Sequence, residues 1–198
     1  MLDESGSVSP NNWQQELEFT KIIADTATIE EKGGRASVIT FSTNAHLKIK
    51  FNAHTNYNSF SRAVENLKQA RSATNIPKAL NLGLNSMFKT TNGMREKSEK
   101  IAVLITDGQD WPRGISTVQQ YKDIAKKYRD RKIKLLVIGV GPVEKNKLKQ
   151  LVEDPNDLYI AANFKNLLKT FVKGVAESVQ GACKGISNTW YIKLSSVL

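Results

Sequence analysis

The chain has 198 residues, of which 40% are hydrophobic, so it can form one domain with a sizeable core and is short for two. Its longest apolar run, residues 135–140, falls far below the roughly 20 residues that a membrane-spanning helix needs, so no such helix is predicted. Because Cys183 is the single cysteine, an internal disulfide framework and Cys-x-x-Cys metal or redox motifs are excluded.

The charge balance is strongly basic, with a formal net charge of +10 and a pI near 9.6. Basic residues concentrate at residues 126–134 and 145–149, and no series of aromatic residues for stacking on nucleic-acid bases is interleaved with them. Two interpretations stay open. These segments are solvated helix faces, since cations are favoured at helix C-termini, or they form a patch for anionic glycans or acidic proteins. Nucleic acid is not expected as a partner.

The first motif stands at the start of the sequence, where Asp3, Ser5 and Ser7 occupy alternate positions. One carboxylate and two hydroxyls at this spacing can converge on a point at the tip of a strand, and such hard oxygen ligands suit Mg²⁺ better than zinc or copper. Asp, Ser and Gly also favour ordinary turns. The Asp-x-Ser-x-Ser pattern alone therefore leaves a metal site and a plain turn as alternatives.

Hydrophobic periodicity and turn residues predict alternating strands and helices along the chain. Residues 45–51 alternate lysine with apolar residues, which is typical of a half-exposed edge strand, whereas Lys100–Thr106 is a nearly continuous apolar run, typical of a central parallel strand. In chain order, the predicted elements are helix 11–29, strand 35–42, strand 45–51, helix 58–69, helix 77–88, strand 100–106, helix 117–131, strand 133–140, helix 145–152, strand 158–161 and helix 164–179.

This alternation predicts an α/β fold, a doubly wound and mostly parallel sheet with one antiparallel edge strand and helices on both faces. In this Rossmann-like architecture, ligands bind in the crevice at the carboxyl ends of the parallel strands. Asp3, Thr74 and Asp107 lie in three loops that can meet at that edge. Three oxygen-bearing loops at one edge favour the metal site over the plain turn.

Together these motifs resemble the von Willebrand factor type A (vWA) family, which includes the integrin I-like domains. The matching segments are LDESGSV, SATNIPKAL, VLITDGQD and VIGVG, in that order within residues 2–179. The resemblance implies a metal-ion-dependent adhesion site (MIDAS), with Mg²⁺ as the cofactor and Mn²⁺ or Ca²⁺ as substitutes. The implied metal ligands are Asp3, Ser5 and Ser7 from the first loop, Thr74 from the second loop and Asp107 from the third.

Some positions depart from the family pattern. Residues 71–73 stand where glycines often precede the threonine, and Ile76 stands where a second threonine is frequent. The strand before Asp3, expected at the centre of the sheet, is reduced to two residues, so we expect a truncated N-terminal strand. Extracellular vWA domains commonly join their two ends by a disulfide, which implies an upstream partner for Cys183, while a reduced thiol is the alternative.

The predicted function is a non-enzymatic, Mg²⁺-dependent protein-binding module of a secreted extracellular-matrix or adhesion protein. A carboxylate of the ligand, which is collagen or another matrix protein, completes the metal site. The alternative is an intracellular vWA module for assembly or chaperoning. An enzyme is not expected, because residues 139–141 lack the third glycine of a dinucleotide fingerprint. The residues predicted to contact the ligand at the rim of the site are Asp110, Trp111, Arg113 and Arg71.

We expect the vWA domain to cover residues 1–183 and residues 184–198 to be a linker or tail. The last predicted helix, residues 164–179, is amphipathic. The resemblance to integrin domains implies that such a helix slides between two positions coupled to metal coordination.

Overall fold

A six-stranded sheet forms the centre of the computed structural model, which describes residues 1–108, 110 and 116–183. The strands lie in the order 3-2-1-4-5-6 across the sheet, and the third strand is antiparallel to its neighbour while the other pairs are parallel. In chain order, they are β1 (Leu2–Asp3), β2 (Val38–Phe41), β3 (Ala45–Ile49), β4 (Lys100–Thr106), β5 (Ile133–Val140) and β6 (Leu158–Ala161).

The strand order reverses between β1 and β4. Strands β2 and β3 continue the sheet on one side of this pair, and β5 and β6 continue it on the other. In an open α/β sheet, the loops that leave two such strands turn to opposite faces and leave a crevice between them. Asp3 ends β1 and Asp107 directly follows β4, so both residues lie at this crevice.

Helices cover both faces of the sheet in the part of the chain that the structure describes. They are α1 (Pro10–Thr26), α2 (Tyr57–Glu65), α3 (Ile76–Leu82), α4 (Val118–Asp130), α5 (Lys145–Leu148), α6 (Phe164–Asn166) and α7 (Val172–Cys183). A π-helical segment, Gly83–Met87, continues α3, and a second one, Leu167–Phe171, joins α6 to α7. Short 3-10 helices occupy Thr90–Asn92, Lys149–Leu151 and Pro155–Asp157.

Alternate residues of β5 pack into two separate hydrophobic cores. Leu136 and Ile138 belong to the core that contains residues of α1 and α7. Leu135 and Val137 belong to the core that contains residues of α3 and α4. Because successive side chains of a strand point to opposite faces of the sheet, both faces of β5 are buried. This double burial explains why its sequence is an unbroken apolar run.

The predicted fold class is confirmed, including the antiparallel edge strand β3 and the central position of β1. Strands β4, β5 and β6 have the predicted bounds. The first helix ends at Thr26 instead of residue 29, because Thr28 has a left-handed backbone (φ 50°) that a right-handed helix cannot include. Among the described residues, no helix is both long enough and apolar enough to cross a membrane.

A close contact between α4 and the π-helical segment that continues α3 gives a test of the packing. A methyl group at Gly83 would collide with the hydroxyl of Tyr128, which donates a hydrogen bond of 2.9 Å to the carbonyl of Leu80. We expect Gly83→Ala to lower the free energy of unfolding by about 1–3 kcal/mol, as measured by chemical denaturation. The matched control is Gly181→Ala in α7, where a methyl group meets open space. It should be neutral or stabilise by up to about 1 kcal/mol, and equal losses in the two variants would contradict the packing explanation.

Candidate functional site

The first loop of the site connects β1 to α1. Asp3 and Ser5 are buried, at 0% and 1% exposure, whereas Ser7 is exposed. The amide of Ser5 donates to Oδ1 of Asp3 (3.0 Å), and the hydroxyl oxygens of Ser5 and Ser7 lie 2.9 Å apart. Ser9 then caps α1 by accepting the amide of Asn12 (3.2 Å). The loop is therefore fixed at both ends, by the strand and by the helix cap.

The third loop begins where β4 ends, beside β1 in the sheet. The hydroxyl of Thr106 donates to Oδ2 of Asp3 (2.6 Å) and accepts the amide of Gly108 (3.1 Å). The hydroxyl of Ser7 donates to Oδ1 of Asp107 (2.8 Å). The first and third loops are thus joined directly, and a continuous chain of side-chain oxygens runs from Ser5 through Ser7 to Asp107.

The second loop brings Thr74, which is 4% exposed, next to Asp3 and the third loop. A methyl group at Gly108 would lie 3.2 Å from Oγ1 of Thr74 and 3.3 Å from Oδ2 of Asp3. These two oxygens therefore converge on the backbone of the third loop, and the absence of a side chain at Gly108 permits this approach. The structure brings together all five residues predicted as metal ligands.

Backbone hydrogen bonds hold the second loop against the first. The amide of Arg71 donates to the carbonyl of Glu4 (2.8 Å), and the amide of Gly6 donates to the carbonyl of Ser72 (2.8 Å). Arg71 adopts a left-handed backbone (φ 57°) and is exposed beside the first loop. Its predicted role at the rim of the site stays a prediction.

The two carboxyl groups of the site are held in surroundings that disfavour their charge. Burial raises the pKa of Asp3 to about 7, although hydrogen bonds from Ser5 and Thr106 oppose the rise and the nearby charge of Asp107 adds to it. Burial also raises the pKa of Asp107. A cation placed between such groups favours their ionised forms. The arrangement is therefore electrostatically suited to a positively charged ion.

Glu16 is a site residue that sequence reasoning missed. It lies in α1 with 0% exposure, and its Oε1 accepts the backbone amide of Asp3 (2.9 Å). Its Oε2 has no hydrogen-bond partner among the described residues. Burial, and then the charge of Asp3, raise the pKa of Glu16 well above its usual value. The sequence carried a signal, because Glu16 stands three residues after Trp13 and three before Phe19 on the buried helix face.

Gln69 was also missed. Its side-chain amide donates to the carbonyls of Ser5 (3.0 Å) and Val8 (2.7 Å), so it ties the middle of the first loop to the end of α2 and the polar loop that follows. No periodicity marks such a contact, because it joins residues more than 60 positions apart. Long-range pairing of this kind is visible only in the folded chain.

The prediction that Asp110 contacts a ligand at the rim is wrong. Asp110 is buried, at 2% exposure, and its carboxylate accepts hydrogen bonds from the protein itself. The reason is that three donors face this position from neighbouring segments, so the side chain turns inward. The other two rim residues predicted on this loop, Trp111 and Arg113, lie outside the residues that the structure describes. The same holds for the 184–198 segment and the side chain of Cys183.

Comparison with known families agrees with this geometry. The sequence profile of the von Willebrand factor type A domain matches residues 1–174. The chain belongs to the von Willebrand factor type A family. The predicted family is thereby confirmed, and its relatives are extracellular-matrix proteins.

Two matrix proteins illustrate these relatives. The vWA domain is 29% identical to the collagen alpha-1(XII) chain of Notophthalmus viridescens over 187 residues, which cover 93% of this chain and 19% of that protein. It is 24% identical to matrilin-1 of Homo sapiens over 170 residues, which cover 84% of this chain and 33% of that protein. The chain thus spans about a fifth to a third of the length of these relatives.

Solved structures show the same fold. Proximal thread matrix protein 1 from the mussel byssus superposes with a TM-score of 0.82 at 21% identity, over 90% of this chain and 46% of that chain. A further structure of that mussel protein, with a zinc-occupied MIDAS motif, has a TM-score of 0.79 at 20% identity. At this level of identity the likeness supports the fold of the vWA domain.

The buried carboxyl of Glu16 predicts a pH dependence of stability in the absence of metal. Its raised pKa means that the folded state holds a proton that the unfolded state releases above its ordinary value near 4.5, so stability falls as pH rises through that window. Glu16→Gln keeps an oxygen that can accept the amide of Asp3 and removes the titration. We expect it to raise the free energy of unfolding at pH 8 and to change it less at pH 5.

The measurement is chemical denaturation in EDTA at pH 5 and pH 8. Glu18→Gln on the same helix is the matched control, because Glu18 is paired with Lys21 at the surface and such exposed pairs contribute little. A stability difference between pH 5 and pH 8 that is the same in Glu16→Gln and the unmutated chain would rule out Glu16 as its source.

Proposed function

We propose that this vWA domain is a Mg²⁺-dependent protein-binding module of an extracellular-matrix protein. The observation that carries the proposal is the convergence of two carboxylates and three hydroxyls, from three loops, at the crevice between β1 and β4. Asp3, Ser5, Ser7, Thr74 and Asp107 are the proposed metal ligands, either directly or through water.

The spacing of these oxygens fits a small octahedral ion. The distances from Ser5 Oγ to Ser7 Oγ and from Ser7 Oγ to Asp107 Oδ1 are 2.9 and 2.8 Å. Adjacent ligands of Mg²⁺, at about 2.0–2.1 Å from the ion, are separated by about 2.9 Å in a regular octahedron. Ser5, Ser7 and Asp107 therefore present oxygens at separations that are compatible with neighbouring ligands of the ion.

The donor set also suits a site that remains reactive towards a further ligand. Among the described residues, no cluster of three acidic, histidine or cysteine side chains could hold a metal. The site therefore depends on neutral hydroxyls as well as on Asp3 and Asp107. A bound divalent ion would supply a positive charge that attracts a carboxylate of the partner protein. Mn²⁺ and Ca²⁺ are possible substitutes for Mg²⁺ by the same oxygen chemistry.

The proposed partner is a matrix protein, with collagen as the first to test. The kinship with collagen chains and matrilin-1 supports a matrix setting over the intracellular alternative, and supports binding over catalysis. The exposed Arg71 stands on the second loop and can add a contact to the partner. Trp111 and Arg113 remain proposed rim residues.

Removing one proposed ligand tests metal binding and partner binding together. We expect Thr74→Ala to weaken the affinity for Mg²⁺ and Mn²⁺ at least tenfold, as measured by isothermal titration calorimetry, because a metal ligand is lost. Binding to immobilised collagen should require Mg²⁺, disappear in EDTA and fall with Thr74→Ala. The matched control is Thr90→Ala, at an exposed threonine on the 3-10 helix Thr90–Asn92. Metal-independent binding of equal strength in all three proteins would contradict the proposal.

A second contact, with anionic glycans, is favoured by a basic face on α4. Lys122, Lys126 and Arg129 are three or four residues apart and therefore lie on one side of the helix. All three are exposed, and Lys122 and Arg129 line the groove between α4 and residues 150–153. Lys126 pairs with Asp130, but Lys122 and Arg129 have no ion pair among the described residues. Glu153 is the acidic residue in this groove.

The basic face of α4 differs from an ordinary protein interface because it carries charge and little apolar surface. Val118, one turn before Lys122, is the exposed large hydrophobic side chain on α4, so this face offers little apolar surface to a partner. A sulfated polysaccharide, which binds through its charges, fits such a surface.

Retention on a heparin column tests the basic face. We expect the double variant Lys122→Gln/Arg129→Gln to elute at clearly lower salt than the unmutated chain, because two unpaired cations are removed. The matched control is Lys48→Gln/Lys50→Gln, which removes two exposed lysines at and just beyond the edge strand β3. If both double variants elute at the same salt concentration, retention reflects net charge and the basic face is not a specific site.

A further inference from the structure

The carboxylate of Asp110 joins three segments that are distant in the sequence. Its Oδ1 accepts the backbone amide of Ile76 (3.1 Å), the first residue of α3. Its Oδ2 accepts the hydroxyl of Tyr121 in α4 (2.7 Å) and the hydroxyl of Ser116, just before that helix. Asp110, Tyr121 and Ser116 are all buried. One side chain therefore holds the start of α3, the start of α4 and the third loop together.

The segments that Asp110 joins are the ones that carry two of the proposed metal ligands. Thr74 stands two residues before Ile76, and Asp107 stands three residues before Asp110. Between them, Gly108 makes the close approach to the side chain of Thr74. The second and third loops thus approach each other closely at Gly108 beside the site, and the Asp110 carboxylate ties them together behind it.

The surroundings of Asp110 make this link rigid. No lysine, arginine or histidine forms an ion pair with Asp110 within the described residues. A buried carboxylate depends on its hydrogen-bond donors, and losing one of them is costly. The three donors and the carboxylate therefore keep their relative positions.

We propose that Asp110 is a positioning residue that sets the separation of Thr74 and Asp107 and so the affinity of the site for Mg²⁺. The inference rests on the proposed function, since it requires a metal at this site. Mg²⁺ demands near-ideal octahedral geometry and tolerates displaced ligands poorly. Partners that orient metal ligands from behind typically change metal affinity 10–100-fold when mutated. A role in folding alone would leave the metal affinity of the folded protein unchanged.

The test compares variants that remove the acceptor or single donors. Asp110→Asn keeps one oxygen for the amide of Ile76 but turns the other acceptor into a donor, which faces the hydroxyls of Tyr121 and Ser116. We expect it to weaken the Mg²⁺ and Mn²⁺ affinity about tenfold or more, and Tyr121→Phe to weaken it about threefold. The matched control is Asp123→Asn on the exposed side of α4, where the carboxylate accepts a hydrogen bond from Gln119. Its affinity should stay within twofold of the unmutated chain.

Calorimetric metal affinity and the unfolding temperature in EDTA are measured on each variant. A lower unfolding temperature for Asp110→Asn with a metal affinity within twofold of the unmutated chain would overturn the inference, because Asp110 would then act on folding alone. If Asp110→Asn does not fold, the double variant Ser116→Ala/Tyr121→Phe is measured instead. A metal affinity within twofold of the unmutated chain would again overturn the inference. Failure of the unmutated chain to bind either metal overturns the proposed function itself, and the inference with it.

Discussion

The hydrogen bond from Thr106 to Asp3 is the contact on which the site depends. It joins the ends of β1 and β4 at the point where the strand order reverses, and it does so with a buried carboxylate at 2.6 Å. A charge in this position is unfavourable unless donors or a cation surround it. The fold supplies the donors from the neighbouring strand and the adjacent loop. The carboxylate is thereby fixed in place before any ion is present.

The rest of the domain holds the contact between Thr106 and Asp3 in place. Two separate cores, one on each face of the sheet, hold β4 and β5 in register, and each loop of the site leaves a strand or enters a helix with little slack. Behind the proposed ligands lie two buried carboxyl groups, Glu16 and Asp110, which accept the backbone amides of Asp3 at the end of β1 and of Ile76 at the start of α3. The ligand loops are therefore held by polar contacts from behind as well as by their strands.

The sequence predicted the framework better than the details of the site. The apolar runs of β4 and β5 determine their strands almost completely, because burial on both faces leaves no polar position. The three ligand loops were found because each carries its own local motif. Asp110 was misjudged because inward and outward orientations of a loop aspartate look the same in a sequence. The role of Gln69 could not be predicted, because its partners become neighbours only through the fold.

Helix ends and helix types were also difficult to predict from the sequence. The left-handed backbone of Thr28 and the π-helical turn at Gly83–Met87 are backbone features that hydrophobic periodicity does not encode. Glu16, in contrast, was predictable in principle. A charged residue at the centre of an apolar helix stripe is costly, and such a residue usually has a specific partner.

The oxygens of the site are unevenly exposed, which bears on how an ion would enter and leave. Asp3, Ser5 and Thr74 are enclosed by the protein, while Ser7 is open to solvent and hydrogen-bonded to the partly buried Asp107. An arriving ion would meet the outer pair first and displace the hydrogen bond between its members before it reached the enclosed oxygens. Substitutions at Ser7 and Asp107 would then change the rate of ion exchange as well as the affinity, whereas substitutions at the enclosed oxygens would act mainly on the affinity.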